Sequence, residues 1–360
     1  MKTVQIEEFM QNRNQYQPVD VRSPGEYRQA HIPGAINVPL FTDEERAIIG
    51  ITYKNEGIAK AKLLGLKLVA PRLPEMVEQI LAAAGKKKIL VYCWRGGMRS
   101  YSMCALMDAL RYPVFQLNGG YKAFRRFIFR FHQEKQITVP VFVLNGLTGV
   151  GKTAILQILQ SRGHGVLDLE GMANHRGSVF GSVGLGAARS QKDFEALLAY
   201  ALLDYEDAPY LIIEGEGRRI GHVRLPDYLY TAMLQGAHIL VEADLSVRVE
   251  RIVNEYHGHK DTKEELMAAV SMLQKKLGKA KIQELTEKIR QDRYHEVVLQ
   301  LCRDYYDQYY GDSKKRREEY LAVIDANNLQ EAADDIILTI EKYLAEKTNL
   351  ASAGEAPKCM

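Results

Sequence analysis

An apolar run that passes directly into a glycine-rich turn is the feature that most constrains how this chain can fold. The segment reads Val141-Phe-Val-Leu-Asn-Gly-Leu-Thr-Gly-Val-Gly-Lys-Thr153, and a helical apolar pattern follows it over residues 154–159. A strand, a glycine loop and a helix in this order are typical of a phosphate-binding loop, in which backbone N–H groups and the helix N-terminus face phosphate oxygens. The predicted phosphate ligands are Gly146, Gly149, Gly151, Lys152 and Thr153.

Acidic residues at the ends of neighbouring strands would complete this site. The apolar run that begins at Leu211 ends at Glu214, Glu216 follows two residues later, and Asp168 is a weaker third candidate. Thr153 would ligate Mg²⁺ if a metal accompanies the phosphates. No other metal site is predicted, because the cysteines and histidines do not cluster at metal-binding spacing. The loop leaves open whether the ligand is ATP or another diphosphate ester.

A second chemical centre is predicted at Cys93, where the apolar run that begins at Lys88 enters the loop Cys-Trp-Arg-Gly-Gly-Met-Arg-Ser100. The loop amides, the start of the next helix, Arg95 and Arg99 would all stabilise a thiolate, or an anionic group carried on the sulfur. We therefore predict Cys93, Arg95 and Arg99 as catalytic residues.

Composition indicates an ordinary globular protein and gives little information on partners. The 360 residues include 48 basic and 45 acidic ones, a net charge of +3, so any nucleic-acid site must be a local patch. The other three cysteines are far apart, and Cys104 and Cys302 are interpreted as core residues while Cys359 lies in the tail. We expect a cytoplasmic protein in a reducing compartment, without a leader or a membrane span.

Short apolar runs alternate with helical patterns, which predicts α/β construction with mostly parallel strands. The pattern restarts once, so we predict a first domain over residues 1–132, a linker over 133–140, a second domain over 141–347 with a helical insertion around 258–312, and a flexible tail over 348–360. The predicted strands are 18–21, 36–39, 88–93, 114–117, 141–144, 166–169, 211–214, 239–243 and 321–324. The predicted helices of the first domain are 44–53, 74–84, 99–110 and 121–131.

The first domain resembles the rhodaneses. The resemblance is carried by Val19-Asp-Val-Arg-Ser-Pro-Gly-Glu-Tyr27, by Ala30-His-Ile-Pro-Gly-Ala-Ile-Asn37 and by the loop at Cys93. It implies that Cys93 is the sulfurtransferase nucleophile and that Asp20, Arg22, Glu26 and His31 are structural. The loop is longer than the six-residue loop of simple rhodaneses, so ordinary thiosulfate activity does not follow.

A rhodanese-like α/β domain followed by a P-loop NTPase-like α/β domain with a helical insertion resembles the tRNA 2-selenouridine synthase family. Segments starting at Ile51, Lys62, Ala173 and Glu214 support the resemblance, whereas Met98 and Gly217 depart from the family pattern. The resemblance places the loop after Ala173 at the carboxyl edge of the second sheet, where ligands bind. The predicted substrate-binding residues are His175, Arg176, Ser178, Glu214, Glu216 and Arg218; the loop could instead cap a helix through Ser178 and Gly181.

The resemblance implies two steps on tRNA. Geranyl diphosphate alkylates the 2-thio sulfur of the wobble uridine, and selenophosphate, with selenophosphate synthetase as a candidate source, then replaces the geranylthio group with selenium. Phe180 and Met172 could line a geranyl pocket, although core packing is the expected role of at least one. Basic residues at 275–281 and 314–317 beside tyrosines 305, 306, 309 and 310 could bind RNA, or the tyrosines could be packing residues.

Two other functions fit the same motifs. The first is an ATP-dependent rhodanese-type sulfurtransferase or nucleotide kinase that acts on a small acceptor, and nucleotide binding would distinguish it. The second is a non-enzymatic docking module, which predicts full function after Cys93→Ser.

Overall fold

The structure is a computed structural model that describes residues 2–176, 180–181, 183–256, 262–310 and 317–354. The chain divides into two compact units. The first contains Met1–Lys135 and Ser190–Ala199, and the second contains Gln136–Arg189 and Tyr200–Met360.

The first unit contains a five-stranded parallel sheet in the order β1-β5-β4-β2-β3. Apolar runs such as Lys88–Tyr92 become strands buried on both faces, because helices cover a parallel sheet on both sides. Its elements are β1 Lys2–Val4, α1 Ile6–Gln11, β2 Tyr16–Asp20, α2 Pro24–Gln29, β3 Ile36–Asn37, α3 Asp43–Glu56, α4 Ile58–Val69, α5 Leu73–Ala84, β4 Lys88–Tyr92, α6 Met98–Ala109, β5 Val114–Leu117 and α7 Gly120–Glu134.

The second unit contains another five-stranded parallel sheet, in the order β12-β11-β6-β8-β7, and a short antiparallel pair. Its elements are β6 Val141–Asn145, α8 Lys152–Ser161, β7 Val166–Leu167, α9 Leu169–Ala173, α10 Gln191–Asp204 (in the first unit as far as Ala199), β8 Leu211–Glu214, β9 Arg219–Ile220, β10 Val223–Arg224, α11 Asp227–Gln235, β11 Ala237–Glu242, α12 Leu245–Tyr256, α13 Thr262–Met272, α14 Gln274–Leu277, α15 Lys279–Arg290, α16 Tyr294–Leu301, α17 Asp307–Tyr310, β12 Ala322–Asp325 and α18 Leu329–Gly354.

All nine predicted strands are present, with boundary differences of at most two residues. One difference has a local cause: β7 ends at Leu167 because Asp168 begins helix α9, and its carboxylate accepts a hydrogen bond from the Gly171 N–H at 2.7 Å. The predicted helical insertion is helical over residues 262–310, and Leu266, Val270 and Leu273 are buried in its core.

Strand β1 was not predicted, and the last helix extends into the segment predicted as the C-terminal tail. Helix α18 continues to Gly354, so residues 348–354 of the predicted tail belong to this helix. Residues 355–360, including Cys359, lie outside the described residues. No helix in the described ranges combines the length and apolarity needed to cross a membrane.

Candidate active sites: a P-loop cleft and a cysteine loop

The predicted phosphate loop joins the central strand β6 to helix α8. Gly146, Gly149 and Gly151 have φ values of +154°, +84° and +97°, which residues with a side chain rarely adopt. A Cβ atom at Gly149 would lie 2.7 Å from Ile252 Cδ1, so the loop has no room for one. Lys152 begins helix α8, and its Nζ atom donates to the Gly146 carbonyl oxygen at 2.9 Å.

Two arginines of helix α12 donate hydrogen bonds to backbone carbonyl oxygens of this loop. Arg248 is buried, donates to the Thr148 carbonyl oxygen at 2.9 Å and pairs with Asp307 at 2.6 Å. Arg251 donates to the carbonyl oxygens of Val150 at 2.8 Å and Ala326 at 2.7 Å. Neither arginine was predicted from the sequence, because nothing in their spacing indicates a contact with a loop about 100 residues earlier.

Three carboxyl groups lie beside the phosphate loop. Glu214 ends β8 as predicted and is completely buried, while Glu170, which was not predicted, donates its backbone N–H to Glu214 Oε1 at 2.5 Å. Glu170 Oε2 also accepts a hydrogen bond from Thr153 Oγ1 at 3.4 Å. Its position just after the β7 run could have identified Glu170, because parallel strands end at one edge of the sheet.

Burial sets the protonation of these carboxyl groups. Desolvation, reinforced by the charge of Glu216, raises the pKa of Glu170 to about 8, and Lys152 only partly offsets this. Burial and then Glu170 raise the pKa of Glu214 well above its usual range, and burial also raises that of Glu216 against the opposing effect of Lys152. Glu214 Oε2 is buried and has no hydrogen-bond partner among the residues that the structure describes. Burial and mutual repulsion therefore favour proton binding by these carboxyl groups relative to exposed ones.

A cleft with a volume of about 1330 Å³ opens over the phosphate loop. The predicted residues that line it are Gly146, Gly149, Gly151, Lys152, Thr153, Arg176 and Glu216. Within the described residues, Glu214, His175 and Arg218 do not line it. His175 packs against Gly181 and Gly221, and Arg218 pairs with Asp227. Ser178 lies outside the described residues.

The aromatic residues predicted to contact geranyl or RNA are packing residues wherever the structure describes their side chains. Phe180 is buried in the core of the helical insertion, 6.1 Å from the Tyr306 ring. Tyr305 and Tyr306 are buried there too, so the prediction that these two could stack on RNA bases was wrong. Residues 314–316 lie outside the described residues, as do the side chains at 309 and 310. No group of three or more His, Cys, Asp or Glu side chains in the described ranges is arranged to hold a metal ion.

In the first unit, the loop after β4 encloses Cys93. Its Sγ atom is buried and accepts hydrogen bonds from the Gly97 N–H and the Ser100 hydroxyl, both at 3.2 Å. Gln116 donates to Ser100 Oγ at 2.8 Å and so holds this hydroxyl in place. Two donors and the N-terminus of α6 therefore point at the sulfur, which is an arrangement that stabilises negative charge on it.

The two predicted arginines of this loop differ in their surroundings. Arg95 is exposed to solvent. Arg99 pairs with Glu26 at 2.6 Å, and the hydrogen bond and charge of Arg99 outweigh the effect of burial, so that the pKa of Glu26 is lowered. Arg99 therefore lies at the cysteine loop as predicted, but its charge is paired with Glu26.

The framework residues have the structural roles that were predicted. Arg22 and Asp20 form a buried ion pair, with two hydrogen bonds of 2.5 and 2.9 Å to Oδ2, and the Arg22 guanidinium lies 4.1 Å from the centre of the Tyr121 ring. The His31 ring stacks on Tyr27 at 4.0 Å. Cys104 and Cys302 are confirmed as core residues, and burial raises their pKa values to about 12 and about 11.

Comparison with known proteins agrees with this order of domains. A family model described as a rhodanese-like domain matches residues 5–127, and one described as the tRNA 2-selenouridine synthase AAA domain matches residues 139–338. The predicted fold class is therefore confirmed.

Full-length relatives give the same result. A tRNA 2-selenouridine synthase from Pseudomonas putida (strain GB-1) is 34% identical over 334 residues, which cover 84% of this chain and 88% of the relative. A protein of the same name from Sulfurovum sp. (strain NBC37-1) is 35% identical over 281 residues, or 72% of this chain and 75% of the relative. Since both domain models and the relatives match in one order over most of the sequence, the chain belongs to the tRNA 2-selenouridine synthase family.

Proposed function

We propose that this protein modifies tRNA in two steps, using one site in each unit. In the first step, the 2-thio sulfur of the wobble uridine attacks C1 of geranyl diphosphate, the C–O bond breaks, and pyrophosphate leaves with the electron pair. The uridine N3 proton is lost, so the product is a neutral S-geranyl nucleoside. In the second step, selenium from selenophosphate attacks C2 and geranylthiol leaves; water then cleaves the P–Se bond to give phosphate and 2-selenouridine.

The phosphate loop supports the first step. Lys152 and the N-terminus of α8 would stabilise the negative charge that develops on the departing pyrophosphate, which is electrostatic catalysis without ATP. A Mg²⁺ ion that accompanied the diphosphate would find the Thr153 hydroxyl and phosphate oxygens as ligands. The Glu170 carboxyl group accepts a hydrogen bond from that hydroxyl, and carboxylate oxygens are of the type that Mg²⁺ prefers.

The loop at Cys93 supports the second step. The Gly97 N–H and the Ser100 hydroxyl would stabilise negative charge at Cys93 or on the selenium of selenophosphate bound beside it, and exposed Arg95 would attract anionic selenophosphate. The order of the steps has a chemical reason. A thiocarbonyl sulfur is a poor leaving group, whereas the S-alkyl form leaves as a thiol from a carbon that is already activated.

One observation carries the proposal: a single chain of this family has both a loop with the backbone geometry of a phosphate-binding loop and a cysteine whose sulfur receives two hydrogen bonds. The test is nucleoside analysis by mass spectrometry of 2-thiouridine tRNA incubated with the protein, geranyl diphosphate and selenophosphate, with each donor omitted in turn. We expect S-geranyl-2-thiouridine without selenophosphate, 2-selenouridine with both donors, and no product without geranyl diphosphate.

Two variants assign the steps to the sites. Cys93→Ala should block selenation and let geranylated tRNA accumulate, whereas Lys152→Ala should prevent geranylation by removing the charge that stabilises pyrophosphate. The matched controls are Cys104→Ala, in the core of the same unit, and Lys342→Ala, on the exposed face of α18. If both Cys93→Ala and Lys152→Ala failed at the same step, the division of labour would be refuted. Turnover of ATP with unmodified wobble nucleosides would favour the ATP-dependent alternative instead.

A further inference from the structure

Helices α3 and α4 form a hairpin that lacks the packing expected of it. Helix α3 has 14 residues and buries none of them, although helices of soluble proteins normally bury one face. Six large apolar side chains of the hairpin are between 52% and 60% exposed: Ile48, Ile51, Tyr53, Ile58, Leu63 and Leu66. Such a concentration of exposed apolar residues marks a binding surface. We call these six side chains the hairpin surface.

The hairpin is nevertheless rigidly built. Thr42 and Glu45 form a reciprocal cap at the start of α3, with hydrogen bonds of 3.1 and 2.9 Å, and Glu45 pairs with Arg72 at 2.8 Å. The two helices meet at Gly57, which has a φ value of +90°. The apolar exposure therefore belongs to a defined structure and not to a frayed end.

Helices α3 and α4 together contain five basic and four acidic side chains, but three of the acidic ones lie in the first turn of α3, so the rest of the hairpin is basic. Residues 46–67 contain five basic side chains and one acidic one, Glu56, which pairs with Lys60 at 3.0 Å. Lys54, Lys62 and Lys67 have no ion-pair partner in the part of the chain that the structure describes. This charge would repel a second copy of the hairpin and would attract a polyanion.

An ion-pair chain connects the hairpin to the cysteine loop. Arg46 of α3 lies 3.8 Å from Glu26 Oε2, and the same oxygen accepts a hydrogen bond from Arg99 at 2.6 Å. Arg99 follows Cys93 in the loop that surrounds the sulfur. The base of the hairpin and the start of helix α6, next to the Cys93 loop, are therefore both in contact with Glu26.

The chemistry of the hairpin surface selects one kind of partner. Unmodified RNA bases stack on aromatic faces, but five of the six side chains are aliphatic and suit an alkyl chain. The S-geranyl intermediate has both required features, because it joins a branched apolar chain to a polyanion. We propose that the α3–α4 hairpin binds the S-geranyl group of the modified tRNA and holds the intermediate beside Cys93. This inference depends on the proposed function, which supplies the geranylated nucleotide.

The test uses synthetic anticodon stem-loop RNA with S-geranyl-2-thiouridine or 2-thiouridine at the wobble position. Fluorescence anisotropy gives the Kd of the full-length protein for each RNA. We expect the wild-type protein to prefer the geranylated RNA, and Ile51→Ser with Ile58→Ser to reduce that preference about tenfold by removing apolar contact area. Because both side chains are more than half exposed, their replacement leaves the core intact.

The matched control replaces Leu234 and Leu338 by serine, two leucines of the second unit that are 59% and 52% exposed, and it should retain the preference. A preference that survives Ile51→Ser with Ile58→Ser would overturn the inference. Equal weakening for both RNAs would also overturn it, because the hairpin would then contact RNA and not the geranyl group. If the wild-type protein geranylates tRNA but shows no preference, only this inference fails; if it does not geranylate at all, the proposed function fails.

Discussion

Replacement of Gly120 by alanine tests whether the cysteine loop depends on close contact between two backbones. Gly120 has a φ value of +57°, and a Cβ atom there would lie 2.5 Å from the Gly96 backbone N and would collide with the Cys93 carbonyl oxygen. That carbonyl oxygen also accepts the Tyr121 N–H at 2.9 Å. The added methyl group must therefore displace the loop that positions the sulfur.

Gly34 provides a control, because it also has a positive φ value but an added Cβ atom would collide with nothing. Its φ value is +75°, and a Cβ atom there would meet nothing within 4 Å. Alanine at positive φ costs about 1 kcal/mol, and this cost applies at both positions. Overpacking against backbone adds about 1–3 kcal/mol, and this cost applies only at Gly120. We therefore expect Gly120→Ala to lower the free energy of unfolding by about 2–4 kcal/mol and Gly34→Ala by about 1 kcal/mol.

Denaturant unfolding can be followed in the first unit alone, because Trp94 is the only tryptophan and it lies in the cysteine loop. The rate at which iodoacetamide alkylates Cys93, measured on its peptide by mass spectrometry, reports on the displaced loop. We expect Gly120→Ala to change this rate and to slow selenation, while Gly34→Ala does neither. Equal stability losses in the two variants, with unchanged alkylation, would show that the close approach of the two backbones does not control the loop.

Two further predictions concern charge. The pKa of Glu26 is lowered in the folded protein, so its pair with Arg99 stabilises the fold above the unfolded pKa near 4.5, and this contribution is lost as the pH falls through the lower folded pKa. Glu26→Gln should therefore lower the free energy of unfolding by about 1 kcal/mol at pH 7 and reduce the loss of stability on acidification. Identical acid-unfolding profiles of the two proteins, followed by Trp94 fluorescence, would contradict this. Reversal of the charges at residues 314–317 should weaken tRNA binding. It should also lower the slope of log Kd against the logarithm of the salt concentration by about 0.7 for each phosphate that the protein no longer neutralises. Binding with an unchanged slope would exclude this segment as an RNA site.

Short-range sequence patterns predicted the local geometry of both candidate sites because each site is built from consecutive residues. The phosphate loop needs glycines at positive φ between an apolar strand and a helix, and residues 141–153 provide all of these parts in one segment. The same holds for Cys93, whose sulfur receives hydrogen bonds from Gly97 and Ser100 within the same loop. The resemblance to known families added the proposed chemistry and the order of the domains.

Features that depend on distant parts of the chain were decided only by tertiary structure. Glu170 meets Glu214 because β7 and β8 lie side by side in the sheet, and Arg248 reaches the phosphate loop from α12. The tyrosine pattern left RNA stacking and packing open, and the fold of the insertion buries Tyr305 and Tyr306 as packing residues.

Helix α3 shows the reverse case, since its apolar residues would be expected in a core and are instead exposed. Sequence by itself determined where backbone turns and helix starts create binding groups, because those depend on neighbouring residues. The packing of segments that are tens of residues apart decided which side chains face each other and which apolar faces remain uncovered. Local sequence patterns do not specify this packing.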